Sequence, residues 1–547
     1  MSPTQSSLAA DPIGLEIVWS RLIAVTDEMW GTVLRTAVSP VIGAAQDFGC
    51  ELLDAAGNGL AHSTRSMPVF NLVMPEITRA LLRRFPVASM AQGDVYVGND
   101  PWLCAGHLDD IAVVTPIFRG GTVVGFTNTV AHTSSIGGTL DGLRARDRYE
   151  EGLFIPLAKL YDRGEPNETL FAVIEANVRQ PEMVLTDVAA QVAANEVGVR
   201  RVLALLDEYE LPDLTALAAI LQERAESAMR RAIAAVPDGV YANEVVVEAP
   251  DGDLTLRGTV AVAGEAIAVD YAGSAPEQPG GGINCTFTYT RAHTVYPLKC
   301  LLTPNVPNNE GCFRPIRVMA PEGSILNCRR TASVNTRTKT GWHIHTLLFG
   351  ALAPALPDRV QAGNGLMHAF RAAGTEADGR PFGVHFFSGG GRGAGSATDG
   401  LGHNCFPSSA GNIPVEVFEA RSPILIEERS LLDGTGGAGS HRGTPGHRVR
   451  MRRLPGSNAD VRLYVHHDRL RHPAPGLFGG GPGSLTRALL NGEDLTGGTG
   501  YLRSGEVVLA SDDDVFTSEA AGGGGFGGRD GQTDRRTDGS LCGEMGA

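Results

Sequence analysis

Two histidines and an aspartate fall at one end of a predicted β-hairpin. Residues 111–118 and 122–130 are apolar, β-branched runs joined by an Arg-Gly-Gly segment that is typical of a hairpin turn. His107 and Asp110 stand where the first run begins, and His132 stands where the second one ends. Because the start of one antiparallel strand lies beside the end of its partner, the three side chains are expected on one rim. Two imidazoles and a carboxylate suit a divalent metal such as zinc, or manganese if more oxygens join.

Spacing alone leaves this metal site open. His-x-x-Asp with a remote histidine is a weak signal, and the upstream Asp47 also fits a surface carboxylate at the start of a strand. Two other groups compete on equal terms, His343-Ile344-His345 and His466-His467-Asp468.

Composition limits what else the protein can be. A chain of 547 residues with 42% hydrophobic residues is expected to form two to four domains. The net charge of -15 argues against nucleic acid or an anionic membrane as partner, since either needs clustered Lys and Arg. The sequence shows no apolar run near ~18 residues and no signal-peptide pattern. Eight cysteines without a CxxC pair are typical of reduced thiols, so a cytoplasmic location is expected.

Glycine is unusually frequent, with 70 residues gathered in irregular clusters. None of the clusters is a GxxxxGK[ST] loop or a GxGxxG between a clear strand and helix. We therefore interpret them as tight turns and close backbone approaches in a β-rich body, and expect no nucleotide site in this chain.

The periodicity predicts an α+β, multidomain fold. It consists of a mixed or antiparallel β-rich body with Gly-rich loops, an N-terminal helix after Asp11-Pro12 and a central αα-hairpin at 181–235. The hairpin has an apolar stripe that is expected to cover the chain's own core, a partner-docking surface being the alternative. The expected divisions are a metal-site α+β domain at 1–240 that includes the hairpin, a β-rich middle domain at 241–440, a C-terminal β segment at 441–528 and a disordered tail at 529–547.

Motifs spread over the chain, from about residue 11 to about residue 528, resemble those of the hydantoinase B/oxoprolinase family. This family contains the β-type subunits of ATP-dependent hydantoin and lactam hydrolases. The motifs that carry the resemblance are Asp47-Phe48 with Glu51-Leu52, Gly98-Asn99-Asp100-Pro101, Gly106-His107-Leu108-x-Asp110, Ala131-His132 before Ile136-Gly137-Gly138, Glu151-Gly152-Leu153, Gly282-Ile283-Asn284, Pro307-Asn308-Asn309-x-Gly311, Gly389-Gly390-x-Arg392-Gly393-Ala394, Asn412-x-Pro414-x-Glu416 and Arg442-Gly443.

The resemblance implies a metal-dependent enzyme that works with a second subunit. The implied ligands of one divalent ion, zinc first and manganese or iron as alternatives, are Asp47, His107, Asp110 and His132. A hydantoinase A-type partner would bind Mg-ATP and phosphorylate the oxygen of a cyclic amide, and metal-activated water would then open the ring. Asp109 and Glu151 are the nearest carboxylates that could accept the water's proton, a solvated surface acid being the alternative for each.

The chain departs from the family pattern beside the implied ligands. Cys104-Ala105-Gly106 precedes the first histidine where many relatives have Gly-Gly-Thr, and Thr133 and Ser135 stand where many carry a histidine and an acid. The resemblance thus leaves the ring substrate open. It also leaves two alternatives to a ring-opening hydrolase in a hetero-oligomer, a subunit of an ATP-dependent ketone carboxylase and a non-catalytic scaffold.

Overall fold

A computed structural model of the chain describes residues 11–249, 251–499, 502 and 505–528. The expected tail at 529–547 lies outside these residues. The helices are α1 Pro12–Thr36, α2 Pro40–Gly43, α3 Phe70–Arg84, α4 Glu168–Asn177, α5 Pro181–Glu208, α6 Thr215–Ala234, α7 Phe287–Leu302, α8 Thr338–Gly341, α9 Ile344–Leu352 and α10 Val415–Glu419. The strands are β1 Phe48–Asp54, β2 Gly59–His62, β3 Val95–Gly98, β4 Asp110–Arg119, β5 Thr122–His132, β6 Ala158–Asp162, β7 Glu165–Pro166, β8 Gly239–Ala249, β9 Gly252–Ala263, β10 Ala266–Asp270, β11 Ile316–Met319, β12 Met367–Thr375, β13 Pro381–Gly389, β14 Ile424–Leu432, β15 Gly446–Arg453, β16 Asp460–His466, β17 Arg487–Leu490, β18 Glu493–Asp494, β19 Glu506–Leu509 and β20 Val515–Glu519.

The predicted hairpin is the centre of a seven-stranded sheet with the order β2-β1-β5-β4-β3-β6-β7. Strands β4 and β5 pair antiparallel over their whole length, and β1 pairs with the other edge of β5. Helix α1 begins where the sequence predicts, because the carboxylate of Asp11 accepts the N–H of Ile13 at 3.1 Å and Pro12 fixes the first turn. Helix α5 packs against α1 and against β4 and β5, so it covers one face of this sheet.

Three further sheets complete a mixed α+β fold, as the sequence predicts. Their orders are β11-β10-β9-β8, β13-β12-β16-β19 and β14-β15-β20-β17-β18. Only β10 and β11 pair in parallel among the described strands. Helices α5 and α6 occupy the region of the predicted αα-hairpin, with α6 packed against residues 310–312 and β10. None of the described helices has the length and apolarity needed to cross a bilayer. The predicted domain boundaries stay a prediction. The larger of two described hydrophobic clusters includes residues from Leu15 to Phe526.

The glycine clusters pack backbone against backbone in the C-terminal half. The N–H of Gly524 donates to Gly363 O at 2.8 Å, and the N–H of Gly525 donates to Gly481 O at 2.9 Å. A Cβ atom on Gly524 would lie 2.1 Å from Pro475 O, which is far inside contact distance. Our interpretation of the clusters as close backbone approaches is therefore confirmed, and these amide groups already have carbonyl partners.

Candidate metal and substrate site

The rim expected from the sequence is present. Asp110 pairs in register with His132 at the open end of the β4–β5 hairpin. The loop before β1 joins them, because the N–H of His132 donates to Asp47 O at 3.0 Å. The N–H of Thr133 donates to Asp109 O at 2.8 Å and holds the next turn in place. Side chains that line a cavity of about 120 Å³ at this rim include Asp47, His107, Asp109, Asp110 and His132.

Two left-handed backbone positions direct these side chains into the cavity. Gln46, just before Asp47, has φ 56°, a region that side-chain-bearing residues rarely adopt. Gly106, just before His107, has φ 86°, and a Cβ there would lie 2.9 Å from the Cβ of Tyr289. Glycine is thus required at 106 both by its conformation and by the close approach of helix α7.

His107 lies between two adjacent carboxylates. Its Nε2 atom is 2.8 Å from Asp110 Oδ2, and its Nδ1 atom is 3.4 Å from Asp109 Oδ2. Ligand-type atoms of His107, Asp109 and His132 lie within 4.8 Å of one another. The two imidazole rings are 5.0 Å apart between centroids. Asp109, which the sequence analysis considers as a base, thus belongs to this converging group of three described residues, and Asp110 does not.

The donor set fits a divalent ion. Both ring nitrogens of His107 and Asp110 Oδ1 are buried without a well-aligned hydrogen bond among the described residues. Three carboxylates, those of Asp47, Asp109 and Asp110, face this small space. Buried carboxylates are costly unless cations offset their charge, and a divalent ion would add to the charge that His107 and Arg337 supply. Which of the aspartates ligate an ion stays a prediction.

The pKa values follow from burial and crowding. Burial first, and the neighbouring Asp110 second, raise the pKa of Asp47 to about 7. Burial and Arg337 act to lower the pKa of His107, but the carboxylates of Asp110 and Asp109 outweigh them and raise it to about 9. Burial lowers the pKa of His132 to about 4. A proton on His107 thus offsets the negative charge of these carboxylates.

The other walls come from distant parts of the chain. Helix α7 contributes Tyr289 and His293, and the segment before α8 contributes Arg337, whose Nη2 is 3.4 Å from Asp110 Oδ2. Strand β12 contributes Arg371, which pairs in register with His385 of β13.

Sequence reasoning missed most of these wall residues. His466 lines the cavity, so one member of a competing histidine cluster joins the site. His343 and His345 do not line it; the Nε2 of His345 instead lies 3.1 Å from the Nδ2 of Asn364. The α7 segment has mixed polarity without a clean apolar stripe, so no local signal marks His293 as a cavity residue.

Glu151 lies outside the lining of the cavity. Its Oε1 atom accepts the N–H groups of Val334 and Asn335 at 2.6 and 2.8 Å, and Oε2 is buried without a hydrogen bond. Burial raises the pKa of Glu151 to about 7. The carboxylate therefore holds the segment that leads to Arg337, and its assignment as a base stays a prediction.

Asp109, the other candidate base, differs from Glu151 both in its position and in its pKa. It lines the cavity, but burial is outweighed by contact with His107, so its pKa lies well below the usual range. A carboxylate this acidic is a weak proton acceptor near neutral pH.

Comparison with known proteins identifies relatives along the whole described chain. Residues 11–529 match the family described as Hydantoinase B/oxoprolinase. One of the subunits of a provisionally named D-/L-hydantoinase from Pseudomonas sp. (strain NS671) is 29% identical over 79% of this chain and 76% of its own length. The 5-oxoprolinase 1 of Arabidopsis thaliana is 28% identical over 95% of this chain, which spans only 42% of that protein.

Two solved structures share the fold. The ATP-dependent caprolactamase from Pseudomonas jessenii has a TM-score of 0.86 at 26% identity, covering 95% of this chain and 91% of that one. The nucleotide-free acetone carboxylase has a TM-score of 0.82 at 19% identity, covering 95% and 76%. The second likeness concerns the fold alone.

Proposed function

The chain belongs to the hydantoinase B/oxoprolinase family, and we propose that it is the ring-opening subunit of an ATP-dependent cyclic amide hydrolase. The observation that carries the proposal is the buried cluster of His107, Asp109 and His132, with Asp110 and Asp47 beside it, in a cavity of about 120 Å³. A metal-dependent hydrolase needs acidic and imidazole ligands in a cavity, and the described cavity contains both types of side chain. The named activities of the caprolactamase and the 5-oxoprolinase support the choice of substrate class.

We place the ATP-binding step on a partner chain of the hydantoinase A type. The plant 5-oxoprolinase is more than twice as long as the part that this chain matches, so its remaining length has room for a second activity. In this chain the glycine-rich segments use their amide groups for neighbouring carbonyls, for example Gly437 N–H to Gly523 O at 2.8 Å. We therefore expect no Mg-ATP binding by this chain alone; micromolar binding in a calorimetric titration would contradict that expectation.

The reaction assigned to the pair uses two waters for each ring. The partner would transfer a phosphoryl group from ATP to the amide oxygen, which makes the carbon electrophilic. One water adds to that carbon, the ring nitrogen takes a proton and leaves with the C–N electron pair, and phosphate leaves when a second water completes the carboxylate. A divalent ion held by His107, His132 and the aspartates would supply the Lewis-acid charge that activates water.

The residues of this chain have distinct tasks in the reaction. Protonated His107 must release its proton for an ion to be held, so ion uptake releases a proton. Arg337 limits the negative charge near Asp110. The apolar walls, among them Trp342 and Phe387, exclude bulk water from the activated amide.

Metal content and turnover of His107→Ala and His132→Ala test the proposal. We expect elemental analysis of the purified wild-type chain to give close to one divalent metal per chain, and both variants to lose most of it. His472→Ala is the control, because that half-exposed histidine pairs with Asp253 at 2.7 Å and does not line the cavity. Full metal occupancy in both variants would contradict the proposed ligands.

The fate of oxygen in the reconstituted pair tests the reaction. With ATP and a lactam that carries ¹⁸O in its carbonyl group, we expect the label in the released phosphate. Without ATP, we expect no ring opening. Label that stays wholly in the acid would contradict attack of the second water at carbon, the step by which phosphate leaves with the original carbonyl oxygen. Incorporation of bicarbonate into a ketone, with no ring opening, would instead assign the chain to ketone carboxylation.

A further inference from the structure

Arg371 lies at the edge of the metal cavity, and no described carboxylate is within ion-pair distance of it. It lies on β12, in register with His385 on one side and Tyr464 on the other. Its Nη2 atom donates to Ser134 O at 2.9 Å, while Nε is buried and has no hydrogen-bond partner among the described residues. No described carboxylate makes an ion pair with it within 4.0 Å.

A second cavity, of about 310 Å³, lies on the other side of Arg371. The two cavities share Arg371 and Leu140 in their linings. Arg179 also lines the second cavity and donates to the carbonyl of Gly138, again without a carboxylate partner in the described structure. Arg462, in the same lining, differs because Glu506 lies 2.9 Å from its guanidinium.

The balance of charge favours an anionic ligand at this junction. A guanidinium whose Nε is enclosed without an acceptor has lost hydration that nothing on the protein replaces, which costs free energy. Burial lowers the pKa of Arg371; the carboxylate of Asp109 opposes this effect, and nearby Arg179 adds to it. Guanidinium groups bind phosphoryl and carboxylate oxygens through paired N–H groups, so two of them facing one space form a receptor for such an anion.

We propose that Arg371 binds the phosphoryl group of the activated substrate at the junction of the two cavities. The outer cavity, which Arg179 lines, is then the path by which the phosphoryl group arrives and inorganic phosphate departs. This inference rests on the proposed function for the identity of the anion. It goes beyond that function by naming the group that holds the phosphoryl oxygens and the side from which they come.

Direct binding of inorganic phosphate to the purified full chain tests this assignment without turnover. Calorimetric or ³¹P NMR titration should show saturable binding to the wild type. Arg371→Met should weaken it by about ten- to a hundredfold, the loss expected for one charge-assisted pair, while Arg371→Lys should retain part of it. Arg119→Met is the control, since Arg119 lies at the opposite end of the β4–β5 hairpin, where it donates to Leu211 O and pairs with Asp207 at 2.8 Å. Equal metal content in all variants must be verified by elemental analysis.

Each outcome decides the proposal. Absence of saturable binding to the wild type, or equal affinity in wild type and Arg371→Met, overturns it, because phosphate would then lie elsewhere or on the metal. Binding of acetate but not phosphate at Arg371 overturns the phosphoryl assignment and makes the residue a receptor for a substrate carboxylate. If Arg371→Met does not fold, Arg179→Met provides a second test, because Arg179 is exposed and its substitution should not disturb folding. The affinity of the Arg179→Met variant for phosphate should fall by severalfold, and an unchanged value overturns the proposed path. If phosphate binds as expected but the reconstituted pair opens no ring, the proposed function fails and the anion site stands.

Discussion

The buried carboxylate of Glu151 has two possible roles. It is either a proton acceptor in the reaction or an anchor for the segment that carries Arg337. As an anchor it accepts two backbone N–H groups, at 2.6 and 2.8 Å. Glu151→Gln keeps an oxygen in that position and removes the charge. We therefore expect turnover of the reconstituted pair to stay within severalfold of wild type. If Glu151 acted as a general base, the substitution would instead lower turnover by about 10²–10⁴-fold.

The raised pKa of Glu151 also predicts how the free energy of unfolding depends on pH. The pKa of Glu151 is raised from 4.5 to about 7 in the folded chain. For a carboxyl group with a raised folded-state pKa, the stabilising contribution is fully present below pH 4.5 and is lost as the pH rises through 7. A shift of this size corresponds to at most roughly 3 kcal/mol at 1.36 kcal/mol per pH unit. Between pH 5 and 8, wild type should thus lose up to that amount of stability relative to Glu151→Gln.

Thermal unfolding of both proteins across this pH range is the measurement, since the other titrating groups are common to both. Glu150→Gln is the matched control, because that neighbouring carboxylate is paired with Arg146 near the surface. Glu151→Ala should be destabilised at every pH, as it leaves two backbone donors without an acceptor. A hundredfold lower turnover in Glu151→Gln, with a pH profile of stability parallel to wild type, would refute the anchor.

Two further predictions concern the support of the site. Asn99→Ala should destabilise the chain by several kcal/mol and lower its metal content, because this buried amide bonds Leu108 O at 2.7 Å and the N–H of Ile155 at 2.6 Å; normal metal content and an unchanged unfolding midpoint would contradict it. Gly524→Ala should abolish or strongly reduce soluble folded protein, since its Cβ would meet backbone at 2.1 Å, whereas Gly43→Ala, with no atom within 4 Å, should behave as wild type in expression and thermal unfolding. Equal stability of the two glycine variants would show that the glycine-rich packing tolerates side chains.

Local sequence information was sufficient for the rim of the site. The period-two pattern and the glycine turn specify β4 and β5 without reference to the rest of the chain, and antiparallel pairing then brings Asp110 opposite His132. The same holds for helix α1, whose cap and first proline are adjacent residues. The family motifs added Asp47, which the structure places beside the rim.

The division of roles among the acids depended on tertiary packing. Asp109 and Asp110 are neighbours in sequence, yet they contact opposite nitrogens of His107, a difference set by the turn that precedes β4. Glu151 is close to the site residues in the sequence, but its carboxylate accepts a backbone hydrogen bond from a segment more than 180 residues away. The pKa of each acid depends on its burial and on the charged groups around it. Both are properties of the assembled core and have no local sequence signal.

The sequence by itself determined the elements, the metal-type residues and the family, because these depend on local periodicity and on motif order. Only the tertiary structure decided the cavity walls. Arg371 and His293 lie on different elements far apart in the chain, and their positions in space follow from how β12 and α7 pack against the first sheet. Such long-range packing is governed by shape and buried area shared among many residues, so no short stretch of sequence specifies it.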